Sequence, residues 1–297
     1  MTEAVELLKK VRRLEIRSRR LVEDVFAGSS ESIFKGRGIE FEEVRPYVPG
    51  DEVRTIDWNV TARLGSPYVK RFVEERELTV MLVVDVSRSM RFGTAGGEKR
   101  ELAAELAAVL GFAAIRNNDR VGLVLAGERV EHFVPPSRGR THLLRLLRDV
   151  LAVTPSGAGT RLGEAARFVV RAARRRSLIF WLSDFEDRLK VNDWRLLGRR
   201  HEVTAIALHD PRDQMLPSVG WVEIEDLESG ERRLVDTSNA RVRAAYHREA
   251  AARRHANEKV FDQARCPLLT LQMDRPWMPV LMRYFAARRR GRGGAAA

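Results

Sequence analysis

Asp85-Val86-Ser87-Arg88-Ser89 places three short oxygen-bearing side chains at alternating positions. A carboxylate and two hydroxyls on one tight loop are hard, mostly neutral donors. They suit Mg²⁺, which takes an octahedral oxygen shell and usually keeps several waters. Mn²⁺ and Ca²⁺ share the preference for oxygen and are the alternative ions. The residues before the loop must position it. Leu78 to Val84 is nearly all apolar, the pattern of a strand buried on both faces at the centre of a parallel sheet. The loop then falls at the carboxyl end of that strand, the rim where open α/β sheets bind ligands. An Asp at such a point can also cap a helix, with the two serines as turn residues.

The five-residue pattern resembles the D-x-S-x-S signature of von Willebrand factor A domains and their metal-ion-dependent adhesion site. That resemblance implies two further ligands from later loops, a Thr and an Asp. Thr160, in Gly157-Ala158-Gly159-Thr160, and Asp184, directly after the apolar run Leu178 to Ser183, match them in order. A cap role for Asp85 would not account for these distant partners. The metal set implied by the resemblance is therefore Asp85, Ser87, Ser89, Thr160 and Asp184, each holding the ion directly or through water.

A second stretch lies upstream. Gly38 to Trp58 reads GIEFEEVRPYVPGDEVRTIDW, followed by Ala62-Arg63 and Phe72-Val73-Glu74-Glu75-Arg76. It resembles the hallmark region of the DUF58 family, a bacterial and archaeal group of von Willebrand A-like proteins. The resemblance implies a non-enzymatic interaction module that works with a MoxR-type AAA+ ATPase in chaperone-like assembly or activation of other proteins. It also implies that a partner's Asp or Glu completes the metal shell. Many members of the family carry membrane spans. Here no apolar run reaches about 18 residues, so no span is expected. The residues Arg45, Asp51, Arg54, Asp57 and Arg63 interleave both signs of charge around Trp58, and an internal ion clasp is favoured over a partner surface.

Strand and helix patterns alternate after residue 77, which gives an α/β fold with a doubly wound, mostly parallel sheet. Three segments are expected: a helix plus signature segment over 1–77, the A-like domain over 78–289, and a disordered Gly/Ala/Arg tail over 290–297. Residues 3–26 read as an amphipathic helix, for which docking on the protein is favoured over a membrane surface. Ser66 to Val73 reads as an edge strand leading into Leu78. Gly93 to Gly97 reads as flexible. The following Lys99 lacks both the preceding Gly and the following Ser or Thr of a phosphate loop, so nucleotide binding is rejected there. Val130 to Val134 reads as a short edge strand ending at Pro135-Pro136. The segment 210–237 reads as a long connection with a hairpin at Ser229-Gly230. Glu186 and Asp187 read as solvated loop residues.

The net charge is +12, from 53 basic and 41 acidic residues. Basic and acidic residues balance over 1–77, so the excess lies beyond. Solvated Arg-rich faces are the plain explanation. An acidic protein partner comes next, and nucleic acid after it. Nucleic-acid binding through the basic helices is kept as the alternative function, although no aromatic–basic interleaving marks a stacking platform. The single cysteine, Cys266, excludes an internal disulfide and reads as a core residue in a reducing compartment. The N-terminal residues lack the charged-then-apolar pattern of a signal peptide, and a cytoplasmic location is expected. The six histidines form no metal-ligand spacing, no G-x-S-x-G elbow is present, and no general base can be named for a hydrolase.

Overall fold

The computed structural model describes residues 2–26, 43–49, 51, 56–71, 78–157, 159–227 and 230–293. The chain divides into two units, Glu31–Glu77 and the remainder, Met1–Ser30 with Leu78–Ala297.

In the smaller unit, β1 (Glu43–Pro46) pairs antiparallel with β2 (Tyr68–Arg71), and α2 (Trp58–Leu64) lies between them in sequence. The strand expected over 66–73 is thus present. It belongs to a separate two-stranded sheet, however, because Tyr68–Arg71 satisfies its backbone groups on Glu43–Pro46. Arg45 holds Asp51 with two parallel hydrogen bonds, at 2.8 and 2.6 Å. Asp57 caps α2 by accepting from the Val60 amide at 3.2 Å. Part of the expected ion clasp is therefore internal. Arg54 lies outside the described residues.

The larger unit begins with α1 (Thr2–Phe26) and continues through β3 (Thr79–Asp85), α3 (Lys99–Arg116), β4 (Arg120–Ala126), β5 (Val130–Ser137), α4 (Arg140–Ala152), α5 (Leu162–Ala172) and β6 (Leu178–Ser183). It ends with α6 (Val191–Arg200), β7 (Glu202–His209), α7 (Pro211–Gln214), β8 (Trp221–Glu225), β9 (Arg232–Asp236), α8 (Ala240–Ala264), β10 (Leu268–Gln272) and α9 (Met278–Gly293). The six-stranded sheet has the order β10-β7-β6-β3-β4-β5. All neighbours are parallel except the edge strand β5, which runs antiparallel to β4. This is the doubly wound, mostly parallel α/β fold expected. β5 continues through Pro135 and Pro136 to Ser137. A register shift at the prolines lets the strand pass them, and an edge position tolerates the missing amides.

The central strand is apolar on both faces because both faces are covered. Val80, Leu82, Val83 and Val84 are wholly buried. Met81 and Val83 join Ile179, Trp181, Ala205 and the inner faces of α5, α6 and α8 in one core. Alternate residues turn to the other face, which α3, α4 and α9 cover, with Phe180 edge-on to Phe285 at 6.0 Å. Each such buried aliphatic or aromatic side chain contributes roughly 1.5–3 kcal/mol.

α1 docks as its amphipathic pattern implies, but on this unit. It packs on α3 and α4 through buried Val11 and Val22, with Glu15 paired to Arg140 and Lys10 to Glu101 at 2.8 Å. The helix is therefore not part of one segment with the signature stretch, contrary to the 1–77 grouping. Its apolar stripe is satisfied by helices downstream of residue 78. α9 also runs past 289 to Gly293, so the tail expected over 290–297 is helical in its first four residues, and 294–297 lie outside the described residues.

Candidate functional site

From β3 the chain moves outward to β4 and β5, then returns to the other side of β3 to lay down β6, β7 and β10. The carboxyl ends of β3 and β6 are neighbours where the winding changes direction, the crevice in which open α/β sheets bind ligands. Asp85 ends β3, and Asp184 follows the last residue of β6.

Asp85 is wholly buried. One carboxylate oxygen accepts from the Ser87 amide at 2.9 Å, a turn closed by the side chain itself. The other accepts from the Ser183 hydroxyl at 2.6 Å. The short helical turn Arg88–Arg91 begins at Ser87, whose side chain does not cap it, so the loop is not a conventional helix cap. Ser87 Oγ and Ser89 Oγ lie 3.1 Å apart, and Ser89 hydrogen-bonds Asp184. Four of the five expected residues are thus joined in one network. The fifth, Thr160, is half-buried in the loop before α5, where Arg161 donates its amide to Gly127 O at 3.0 Å. Val86 in turn donates to Ala126 O at 2.8 Å, which puts this loop and the Asp85 loop on the same rim.

The electrostatics divide the two carboxylates. Burial raises the pKa of Asp85, and the neighbouring Asp184 adds to the effect, pushing it up to about 7. No basic side chain pairs with Asp85 among the described residues. Burial would raise Asp184 as well, but the Lys99 ammonium at 2.9 Å outweighs it and holds Asp184 below its usual value. Lys99 is 1% exposed and bridges Asp184 to Asp213, 2.8 Å away on α7. Burial opposes its charge, yet the two carboxylates keep it protonated.

Sequence reasoning missed Lys99. A signal was available, because Lys99 and Arg100 open a helix whose N-terminal dipole disfavours cations. A basic pair there implies buried acceptors. Arg100 fills that role by donating to Val150 O at 2.8 Å and to Val153 O, at the end of α4. The glycine loop before Lys99 is likewise pinned, contrary to the expected flexibility. Buried Asp210 accepts from the Thr94 amide and hydroxyl, both at 2.6 Å, and from the Ala95 amide at 3.2 Å. The same Asp210 closes a capping box with Asp213, which fixes α7 and so places Asp213 on Lys99.

Glu186 and Asp187 are half-buried and engaged with the protein rather than free loop residues. Glu186 is driven up to about 7 by burial and by Asp184, and pairs with Arg253 at 2.8 Å. Asp187 accepts from the Leu162 amide at 2.9 Å, at the start of α5. Just before them, between Asp184 and Glu186, Phe185 adopts a left-handed conformation, φ +54°, costly for an aromatic residue. Its amide bonds Ser183 Oγ at 2.9 Å, its carbonyl accepts from Asn257 at 2.6 Å, and its ring packs edge-on to Phe261 at 4.9 Å. These contacts hold Asp184 at the turn. Cys266 is buried, as expected, and burial pushes its thiol up to about 11.

No group of three or more His, Cys, Asp or Glu side chains suited to a metal occurs among the described residues. A set built mainly of hydroxyls does not need one. Two carboxylates with Ser and Thr oxygens fit a hard divalent cation, and the unpaired buried charge of Asp85 is what such an ion would offset.

Fold and site together define an open α/β protein with a carboxylate-and-hydroxyl loop at the switch point of its sheet. The chain belongs to the DUF58 family, described as a protein family of unknown function, whose profile matches residues 43–256. It is 38% identical to the uncharacterized protein Rv1480 of Mycobacterium tuberculosis, over 96% of this chain and 91% of that one. It is 29% identical to the uncharacterized protein YeaD of Bacillus subtilis, over 49% of this chain and 34% of the other. Among solved structures it is similar to the conserved hypothetical protein BatB of Bacteroides thetaiotaomicron (15% identity, 72% of this chain and 99% of that one, TM-score 0.47). It also matches the SpRpn10 VWA domain (13% identity, 69% and 94%, TM-score 0.41). No helix among the described residues is long and apolar enough to cross a membrane.

Proposed function

We propose that this protein is a metal-dependent protein-interaction module and not an enzyme. The observation that supports it most directly is Asp85, a wholly buried carboxylate held by a hydroxyl and an amide, with no cationic partner among the described residues. Asp85, Ser87, Ser89, Thr160 and Asp184 would hold Mg²⁺ at the switch-point crevice, Mn²⁺ and Ca²⁺ being the alternatives. Few of these donors are charged, so the bound ion keeps a deficit of negative charge and takes a carboxylate from a partner protein. Ser183 orients Asp85, and Lys99 neutralises Asp184, which limits the charge the site presents to one unpaired carboxylate. A non-enzymatic role agrees with the serines. Neither Ser87 nor Ser89 hydrogen-bonds a histidine, and they bond each other instead.

The family resemblance carries the finer proposal. The partner is a MoxR-type AAA+ ATPase, the client presents an acidic side chain, and the pair acts in chaperone-like assembly or activation in the cytoplasm. The test has two stages. Mn²⁺ binding to the purified chain, followed by electron paramagnetic resonance and competed by Mg²⁺, should be lost in Asp85→Ala with the fold intact. Tagged protein should then retain an AAA+ ATPase from native lysate in Mg²⁺ but not in EDTA. Equal Mn²⁺ binding by wild type and Asp85→Ala would falsify the metal assignment.

A further inference from the structure

Apart from Leu196 on α6, the large apolar side chains that the larger unit exposes among its described residues lie in two places. One is the β8–β9 ribbon and its approach. Strand alternation puts Trp221, Glu223 and Glu225 on one face, opposite Asp236, Leu234 and Arg232 of β9. Trp221 and Leu234 are each 67% exposed, and Met215 and Val219, just ahead of the ribbon, are exposed as well. Val222, Ile224 and Val235, on the other face, are half-buried. The open face carries three carboxylates against one guanidinium, Arg232, which Glu223 and Glu225 share at 3.8 and 3.0 Å. Arg233, on the other face, is matched by Glu231 at 2.9 Å. The open face is thus acidic and apolar in a chain of net charge +12. Its base is fixed: Thr237 Oγ1 donates to Gly220 O at 2.6 Å, and Arg243 of α8 donates to Thr237 O at 2.6 Å.

The other place is the outer side of α1. Val11, Ser18 and Val22 are buried beneath the helix, which leaves Val5, Leu8, Lys9, Arg12 and Ile16 along its solvent side. Leu8 is 62% exposed. Lys9 and Arg12 make no ion pair among the described residues. Arg13 and Arg20 flank this stripe and outnumber Glu6, and Arg19 is paired with Glu23 at 3.8 Å. The stripe is basic and apolar, the complement of the ribbon. Exposed apolar residues set among charges mark contact surfaces. Both surfaces stay exposed in the single chain, so neither covers the other within it.

We infer that α1 of one copy of this chain docks on the β8–β9 ribbon of a second copy, Leu8 and Ile16 meeting Trp221 and Leu234, and Lys9 and Arg12 meeting Glu223, Glu225 and Asp236. The two surfaces differ, so the contact is head-to-tail, and the copies close into a ring or run on as a chain. The ribbon face is small, which places each contact at the weak end of protein association, with a Kd of about 10–100 µM. The contact uses none of the proposed metal ligands.

Sedimentation velocity of the full chain from about 1 to about 300 µM, in Mg²⁺ and in EDTA, tests it. The expected result is a sedimentation coefficient that rises with concentration equally in both buffers. A ribbon variant, Trp221→Ser with Glu223→Lys, and a helix variant, Leu8→Ser with Arg12→Glu, change only exposed side chains. Each should keep the wild-type circular dichroism and stay monomeric. Mixed in equal amounts, the two should form a two-copy species, because each retains the surface that the other has lost. Leu196→Ser, on exposed α6, should associate like wild type. A monomeric wild type, association that survives in either variant, or a mixture that stays monomeric overturns the inference. Association that needs Mg²⁺ and is lost in Asp85→Ala also overturns it, since one copy would then dock on the metal of the next. Vesicles of phosphatidylserine and phosphatidylcholine check the other occupant of α1. Pelleting of wild type and the ribbon variant but not the helix variant, with no association in solution, would give α1 to a lipid surface and overturn the docking between copies.

Discussion

At the scale of single residues, Lys99 decides how much charge the crevice carries. It is buried with Asp184 and Asp213 within 2.9 Å, and its removal leaves two carboxylates to be desolvated without a cation. Lys99→Met should therefore cost about 3–5 kcal/mol in urea unfolding, while Lys99→Met with Asp184→Asn should recover part of that loss. Equal stability of the two variants would show that Asp184 gains nothing from the ammonium. A second residue-scale consequence concerns acid. His201 is buried, and burial, with Arg200 and Arg176 nearby, lowers its pKa to about 4. The Ser177 amide donates to its Nδ1 at 3.3 Å, an acceptor that exists only in the neutral ring. In the unfolded chain the ring titrates near 6.5, so between about 6.5 and 4 the unfolded state binds more protons. The stability from this residue is complete above about 6.5 and is lost as the pH falls toward 4. His201→Asn, which keeps an acceptor but does not titrate, should flatten that fall by roughly 1–2 kcal/mol, the flanking arginines being screened by solvent. Unfolding curves at several pH values read this directly, and parallel pH profiles for the two proteins would sink the assignment. Lys99 also shows why part of the site was not legible beforehand. The Asp-x-Ser-x-Ser loop is local and carries its own pattern, whereas Lys99 meets Asp184 across 85 residues of sequence. Only the fold brings them together.

At the scale of elements, the close approach of α3 and α4 depends on one small residue. A Cβ on Gly111 would lie 2.4 Å from Leu143 Cδ1, and Leu143 is wholly buried, so its methyl could shift only by displacing core neighbours. Ala is the better helix former by about 1 kcal/mol, so an exposed glycine would gain from the change. Here Gly111→Ala should instead destabilise by roughly 1–3 kcal/mol through overpacking, and Leu143→Ala in the same chain should relieve the clash. A thermal shift upward for Gly111→Ala would show that the helices have room to part. α1 obeys the same logic from outside. Its apolar stripe is covered by α3 and α4, and the exposed pairs Lys10–Glu101 and Arg17–Glu105 add little, about 0–1 kcal/mol each. Val22→Asp should accordingly free the helix, seen as loss of amide protection over 2–26, whereas Lys10→Gln with Arg17→Gln should leave protection nearly unchanged. The periodicity showed that this helix docks, but not on what. An amphipathic stripe specifies that a face is covered, and its partner lies elsewhere in the chain. The edge strand at Tyr68–Arg71 was legible in the same limited way, and the sheet it joins was not.

At the scale of the whole molecule, the fold was readable because the sheet is buried on both faces. Continuous apolar runs at Leu78–Val84, Leu178–Ser183 and Val203–His209, short and alternating with helical patterns, fit parallel strands under two layers of helices. The pinned glycine loop and the buried Lys99 escaped the sequence because each is made by residues that meet only after the sheet has wound in both directions. The net charge of +12 sets the last expectation, since it also favours nucleic acid in a way that owes nothing to the crevice. Ion pairs such as Arg253 with Glu186, Arg167 with Asp193 at 2.7 Å and Arg232 with Glu225 at 3.0 Å remove one charge of each sign and leave that excess untouched. If the crevice carries the function, duplex DNA should nevertheless bind weakly, with a shallow dependence on salt, far from the roughly 10³–10⁵-fold loss between 50 and 200 mM that six to ten phosphate contacts would give. The proposed metal-bridged association should survive the same salt range and vanish in EDTA, because a buried coordination contact is screened little by mobile ions. Filter binding of labelled DNA and capture of the protein partner, run over one salt series with and without EDTA, separate the two. Steep salt dependence with indifference to EDTA would hand the function to the basic surface and leave the crevice as structure alone.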